Sequence, residues 1–218
     1  MKTTLTLFMI LFLGIYLYGQ DENPAEIKTL LGGEHSYGGY GAFSIRYNEI
    51  DNKEGLSLGG RFGWIIDHNV TLGLGGRGFF TESARYDIPN QLGEEYNLGG
   101  GYGGFFIEPI IGARFPVHIA VPIFVGAGGI AFTRKYYDEW DNNSNMDDTN
   151  LVDGDAYFFV EPGVELEVNL IRFIRISLGA YYRYTTDIRL EDDFGTSLVD
   201  GDILRGLTYG LTIKFGKF

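Results

Sequence analysis

The feature that most constrains this fold is an alternation of apolar residues with glycine or charged residues, which recurs along most of the chain. In the stretch Val70–Phe80, Leu72 and Leu74 fall on one parity, whereas Gly73 and Arg77 fall on the other. Successive side chains of a β-strand point to opposite faces, so this period of two predicts strands with one oily face. The 33 glycines and the 16% aromatic content also favour an all-β chain.

About eight segments show this pattern, and each is long enough for a tilted membrane strand, which needs roughly 9–11 residues. The segments are predicted near Ser36–Tyr47, Gly55–Ile66, Val70–Phe80, Gly99–Phe115, Ile119–Tyr136, Asp155–Val168, Phe173–Thr185 and Leu204–Phe215. Their connections include three tight turns and three long polar loops, Thr81–Leu98, Tyr137–Gly154 and Thr186–Ile203. Short turns at one end and long loops at the other predict an eight-stranded antiparallel up-and-down transmembrane β-barrel.

The N-terminal segment has the three parts of a secretory signal. Lys2 precedes an apolar run, Leu5–Tyr18, and the small residue Gly19 follows it. The run is shorter than the roughly 20 residues that a spanning helix needs. We therefore expect residues 1–20 to be a cleaved signal peptide, residues 21–35 a periplasmic lead-in and residues 36–218 the barrel. The chain has no cysteine, which excludes a lipid-anchored lipoprotein and any disulfide.

Charge predicts which face of the barrel is the inner one. An arginine that faces the middle of a bilayer costs roughly 2–4 kcal/mol, so the charged faces should point inward. The interior of an eight-stranded barrel has room only for side chains, so these acids and bases should pair as a plug. A proton path or a selectivity filter is the alternative. The predicted lumen charge network consists of Arg46, Arg61, Arg77, Glu108, Glu161, Glu165, Glu167, Arg175, Arg183 and Lys214.

The oily parity carries aromatic residues near the predicted strand ends rather than their centres. Amphipathic rings favour the headgroup level of a membrane, so these residues are predicted to form two interface girdles. Trp64, Phe115 and Phe215 belong to the short-turn rim, and Tyr47, Phe80 and Tyr184 belong to the long-loop rim.

Two prolines, Pro109 and Pro162, fall inside predicted strands. Proline removes a hydrogen-bond donor from the sheet, so a β-bulge is expected at each position.

Three parts of the chain resemble the small outer-membrane β-barrel family of Gram-negative bacteria, the OmpA/OmpX type or porin-like outer-membrane β-barrel domain proteins. They are the signal Met1–Gln20, the strand-turn-strand Gly60–Gly75 and the terminal strand Leu207–Phe218. The resemblance implies a bacterial outer-membrane location, with outer-membrane lipid and lipopolysaccharide as neighbours. Tyr209, Phe215 and Phe218 resemble the C-terminal signal that the outer-membrane assembly machinery reads.

The search for catalytic chemistry leads to the prediction that the protein is not an enzyme. His35, His68 and His118 are all expected in the lead-in or in exposed tight turns, and no Ser-His-acid set accompanies them. The glycine-rich stretch 99–104 does not open a phosphate loop. No catalytic residue, cofactor or metal site is therefore predicted.

Charge also bears on the partners. The chain has 29 acidic and 17 basic residues, which disfavours nucleic acid. The acidic residues are dense in 137–155 and 191–202, so these loops could bind an extracellular protein or loosely hold Ca²⁺ or Mg²⁺ beside lipopolysaccharide phosphates.

The favoured interpretation is a non-enzymatic barrel with a structural or surface-recognition role through its long acidic extracellular loops. One alternative is a narrow porin-like channel for small solutes. Another is a secreted lipocalin-like ligand carrier, in which the oily face would point inward.

Overall fold

The computed structural model describes residues 36–50, 53–81, 84–85, 95–135, 149–190 and 199–218, which form one antiparallel sheet. The strands in this part of the chain are β1 (Tyr37–Ile50), β2 (Lys53–Ile66), β3 (Val70–Thr81), β4 (Ala84–Arg85), β5 (Glu95–Ile111), β6 (Val117–Ala120), β7 (Ile123–Lys135), β8 (Thr149–Ile171), β9 (Ile174–Thr185) and β10 (Gly206–Lys217). Among the same residues, no helix is long and apolar enough to cross a membrane. The predicted signal and lead-in, residues 1–35, lie outside the described residues.

The sheet closes on itself as a ring of eight strands, one of which is interrupted. Neighbouring strands pair in the order β3, β2, β1, β10, β9, β8. The short β6 and the longer β7 together form the interrupted strand between β8 and β5. The pairing of β3 with β5 completes the ring, and β4 adds a short extension beside β5. The first and last strands meet along ten residue pairs, among them Tyr47 opposite Tyr209. The predicted eight-stranded antiparallel up-and-down barrel is confirmed.

The tight turns define one end of the barrel. The predicted turn Asp67–Asn69 is present, and both Asp67 and His68 adopt positive φ angles, 51° and 59°. The turn predicted at Pro116–His118 lies instead at residues 112–116, because β6 already begins at Val117. His118 is consequently a strand residue, which changes its environment.

The bulges predicted at Pro109 and Pro162 are wrong, because the pairing register runs unchanged past both. The strand that β6 and β7 form between β5 and β8 is interrupted at Val121–Pro122 instead. At this break the Val121 amide donates to the Pro109 carbonyl at 2.9 Å, and the Gly163 amide donates to the Pro122 carbonyl at 2.8 Å. The prolines therefore share one interruption, where the donors that they lack are not required.

The two faces of the sheet differ sharply in polarity. The outer face exposes large apolar side chains, including Phe62 (75% exposed), Phe105 (69%) and Leu178 (64%). The inner face buries the charged parity of the strands. A lipocalin-like carrier requires the reverse arrangement, so that alternative is excluded by the orientation of the faces.

Candidate functional site

The charged lumen is the candidate functional site. Seven of the strands supply the charged residues singled out from the sequence, because all of these residues have inward parity. Nine are buried, and the tenth, Arg61, has a side chain only 11% exposed. They are Arg46 on β1, Arg61 on β2, Arg77 on β3, Glu108 on β5, Glu161, Glu165 and Glu167 on β8, Arg175 and Arg183 on β9, and Lys214 on β10.

Lys214 is the centre of a cluster toward the short turns. Its Nζ atom lies 2.9 Å from Glu108 Oε1 and 3.3 Å from Glu165 Oε2, and it also donates to Glu167 Oε1. Arg61 bridges two of the same carboxylates, with Nη2 at 2.7 Å from Glu165 Oε2 and 3.2 Å from Glu108 Oε2. One ligand atom from each of the three glutamates lies within 4.8 Å of the others, a spacing that could hold a metal ion. The ammonium group meets all three carboxylates, so it supplies the positive charge that they require.

Glu167 extends this cluster to the short-turn end of the lumen. His118 Nε2 lies 2.9 Å from Glu167 Oε2, and Arg175 Nη1 lies 3.6 Å from the same oxygen. The expectation that His118 is an exposed turn residue is wrong, because the residue is buried on β6. His68 does lie in a turn, where it contacts Ser36, and His35 lies outside the described residues.

A second cluster surrounds Glu161, nearer the long loops. Arg46 Nη1 lies 2.6 Å from Glu161 Oε1, and the Tyr102 hydroxyl donates to Oε2 at 2.9 Å. The Arg46 guanidinium also stacks 3.2 Å above the ring of Tyr181. Because the Tyr181 hydroxyl donates to Glu165 Oε1 at 2.6 Å, this tyrosine links the two clusters.

Tyrosines were missed among the candidate residues, although inward parity could have identified them. Tyr40, Tyr102 and Tyr181 each donate a hydroxyl to a buried glutamate. A buried carboxylate needs more hydrogen bonds than its ion pair supplies, and a phenol on the same face provides one.

The long-loop end of the lumen is closed by apolar residues. The mouth cluster contains Ile50, Phe79, Leu98, Tyr102, Ile130, Tyr157, Phe159, Ile188, Leu190, Ile203 and Leu204. Ile188 and Leu190 belong to the connection predicted as a long polar loop, and both are buried. The Ile188 amide donates to the Gly201 carbonyl at 2.9 Å, which ties this part of the connection to its return segment. The described parts of the last connection thus place apolar side chains over the charged lumen.

The outer face carries the predicted interface aromatics. Each of the six is about half exposed or more: Tyr47, Trp64, Phe80, Phe115, Tyr184 and Phe215. Aromatic rings also lie away from the strand ends, where Phe43, Phe62 and Phe105 are exposed, and the assignment of the six residues to two interface girdles stays a prediction. These three rings carry no polar atom, which suits contact with acyl chains.

The C-terminal aromatics divide between the two faces. Tyr209 and Phe215 are exposed on the outer face. Phe218 turns inward, where its ring lies 6.0 Å from that of Tyr40 and 4.0 Å from the Arg175 guanidinium. The outward signature of the last strand therefore ends at Phe215, and a role of these residues in assembly stays a prediction.

Two of the loops predicted to recognise partners are largely outside the described residues, which omit 86–94 and 136–148 as well as 191–198. The barrel itself can be compared with known proteins. The sequence matches no protein-family model and no curated protein. The crystal structure of Neisserial surface protein A matches with a TM-score of 0.50 at 10% identity, covering 85% of this chain and 100% of that one.

The two proteins share one fold. The predicted resemblance to small outer-membrane β-barrels is thus confirmed at the level of the fold. Ail, the attachment invasion locus protein of Yersinia pestis, matches with a TM-score of 0.41 at 13% identity, covering 85% of this chain and 99% of that one. CarO2 of Acinetobacter baumannii matches with the same TM-score and identity over 82% of this chain and 98% of that one.

Proposed function

We propose that this chain is an integral protein of the bacterial outer membrane, with a closed lumen and no enzymatic activity, and that it serves as a structural or recognition scaffold for its long loops. One observation carries the proposal: the closed ring exposes an apolar outer face around a buried, ion-paired interior. Only helices and closed barrels satisfy all backbone hydrogen bonds inside a bilayer, and this chain forms the second kind of structure.

The polarity of the outer face supports insertion into lipid. Contiguous apolar surface of this extent is rare on a soluble monomer, because water disfavours it. In a bilayer the same side chains contact acyl chains, while Tyr47, Trp64 and Tyr184 place amphipathic rings near the strand ends.

The interior supports a closed barrel rather than a porin-like channel. Lys214 and the glutamates around it cross the lumen on the turn side, and the mouth cluster covers it on the loop side. Solute passage would require breaking buried ion pairs, whose separation is costly.

Membrane fractionation combined with heat-modifiable gel mobility tests the first part of the proposal. The folded protein should sediment with the outer membrane and migrate differently before and after boiling. Recovery in the soluble periplasmic fraction would contradict membrane insertion.

Planar bilayers test the closed lumen. The refolded protein should show no steady single-channel current in 1 M KCl, roughly the ionic strength at which the Debye length falls to 3 Å. A steady current from the unmodified chain would favour the porin-like alternative.

Replacing residues 137–148, which precede β8, with a short turn tests the recognition role, since these residues are dense in acidic side chains. The trimmed protein should keep its heat-modifiable mobility, whereas whole cells that display it should lose binding of soluble extracellular proteins. Unchanged binding would assign recognition to another loop or exclude it.

A further inference from the structure

A small cavity lies inside the barrel among three arginines. It has a volume of about 20 Å³, and its charged lining residues are Arg46, Arg61, Arg77 and Glu161. A cavity needs about 10–15 Å³ to hold one water-sized particle, so this one accommodates a single water or a monatomic ion. It is too small for sulfate or phosphate.

The arginines that line the cavity have donors without acceptors. On these three arginines, the buried nitrogens with no hydrogen-bond partner among the described residues are Nε of Arg46, Nε of Arg61, and Nε and Nη1 of Arg77. Arg77 is more than nine-tenths buried, and its Nη2 donates to the Ser44 hydroxyl at 3.1 Å. Buried polar groups in native proteins nearly always have a partner, so four orphaned donors on the residues that line one cavity favour an acceptor inside it.

The charge balance of the lumen points the same way. Six buried or nearly buried cations, five arginines and Lys214, face four buried glutamates. The excess lies toward the loops, where neither Arg77 nor Arg183 has a carboxylate within ion-pair distance among the described residues. Arg183 instead donates Nε to the Leu204 carbonyl at 3.0 Å and lies 5.0 Å from the Tyr102 ring centre. Arg77 keeps a buried charge whose contacts among the described residues include the Ser44 hydroxyl and the ring of Tyr102, 5.9 Å away, so an anion in the cavity would stabilise it.

Glu161 is the one carboxylate in the lining, and its oxygens are already bound. Oε1 accepts from Arg46 Nη1 at 2.6 Å, and Oε2 accepts from the Tyr102 hydroxyl at 2.9 Å. The remaining wall includes the rings of Phe106 and Phe124, which offer a bound anion no hydrogen-bond donor in place of its hydration water. A weakly hydrated monovalent anion loses least on entering such a site, and a guanidinium is itself weakly hydrated.

We propose that the cavity bounded by Arg46, Arg61 and Arg77 is a binding site for one small monovalent anion of halide size. The anion would complete the plug by accepting from the orphaned guanidinium donors and offsetting the charge of Arg77. The site lies wholly inside the lumen, so its occupancy does not depend on what the loops bind or on where the barrel resides.

Thermal unfolding of the refolded protein in detergent tests the site in solution. Sodium chloride is titrated against sodium gluconate at constant ionic strength, because gluconate is too large for the cavity. The midpoint should rise with chloride concentration above the dissociation constant, as expected for a ligand that binds only the folded state. A midpoint that is independent of chloride would overturn the proposal.

Two variants and one control localise the effect. R77M removes the unpaired charge and should abolish the chloride dependence, whereas R172M, at an exposed turn, should retain it. Gly75→Ala keeps every charge and adds a methyl 3.1 Å from Arg61 Cβ at the cavity wall, so it should weaken chloride binding at least tenfold. This variant keeps the proposal testable if R77M does not fold. Full chloride dependence in either folded variant would overturn the assignment.

Crystals grown in sodium bromide provide a direct observation. Anomalous scattering should show a bromide peak in the cavity beside Arg77. Ordinary water density without an anomalous signal there would refute the anion site.

Discussion

Replacing Lys214 with methionine is the sharpest perturbation of the buried ion pairs. Methionine keeps most of the side-chain volume but removes the ammonium that meets Glu108, Glu165 and Glu167. Arg61 still pairs with two of these carboxylates, and Arg175 lies 3.6 Å from the third. The turn-side cluster then holds three carboxylates and two guanidinium groups, which leaves one buried negative charge without compensation.

The expected cost follows from that uncompensated charge. Removing one partner of a buried ion pair typically costs about 3–5 kcal/mol, because the remaining charge keeps its desolvation penalty. Lys214 is fully buried and contacts three carboxylates, so little solvent is available to relieve their repulsion. A loss of about 3–5 kcal/mol is a large part of the 5–15 kcal/mol that stabilises a typical domain.

Urea unfolding of the refolded barrel in lipid vesicles measures this loss. Lys217→Met is the matched control, since it removes the same charge from an exposed residue of the same strand and should change the unfolding free energy by less than about 0.5 kcal/mol. Adding Glu167→Gln to Lys214→Met should restore part of the stability, because it removes the excess negative charge. If Lys214→Met and Lys217→Met had the same small effect, the buried ion pairs could not be holding the lumen together.

Three further outcomes follow from the same geometry. Glu161→Leu alone should lower the unfolding free energy by about 3–5 kcal/mol, whereas the double variant with Arg46→Met should lower it by less. If the free-energy changes of the two single variants simply added up in urea titrations, the direct pairing would be contradicted. Phe62→Arg should cost roughly 2–4 kcal/mol in vesicles, and Asn69→Arg in an exposed turn should cost almost nothing; equal effects would argue against a lipid-facing Phe62. Phe218→Ala should lower the thermal midpoint by a few degrees through lost ring and guanidinium contacts, and an unchanged midpoint would show that this residue contributes nothing to the lumen.

Strand parity made the fold and the lumen lining predictable. A side chain two positions from Arg175 must share its face, so Ser177 and the buried tyrosine further along β9 could be placed inside without coordinates. The ion-pair partners could not be predicted in this way. Arg46 on β1 meets Glu161 on β8, two strands that do not pair directly in the sheet, so their contact depends on barrel diameter and stagger.

Connections were predicted less well than strands, because composition conceals local burial. The segment after β9 is polar overall, yet Ile188 and Leu190 are buried at the loop end of the lumen, one residue out of phase with the inward residues of β9. His118 was misplaced for a related reason. A proline at 116 suggested a turn there, whereas the turn ends at that residue and the strand starts immediately after it.

Inward glycines explain how a narrow barrel accommodates a tyrosine that connects its two charged clusters. A Cβ atom at either Gly163 or Gly179 would lie well inside van der Waals contact with the ring of Tyr181. That ring supports the Arg46 guanidinium, and its hydroxyl donates to Glu165. The glycines on the charged parity therefore leave room for the large polar side chains of the lumen, and they belong to the same alternating pattern that predicted the strands.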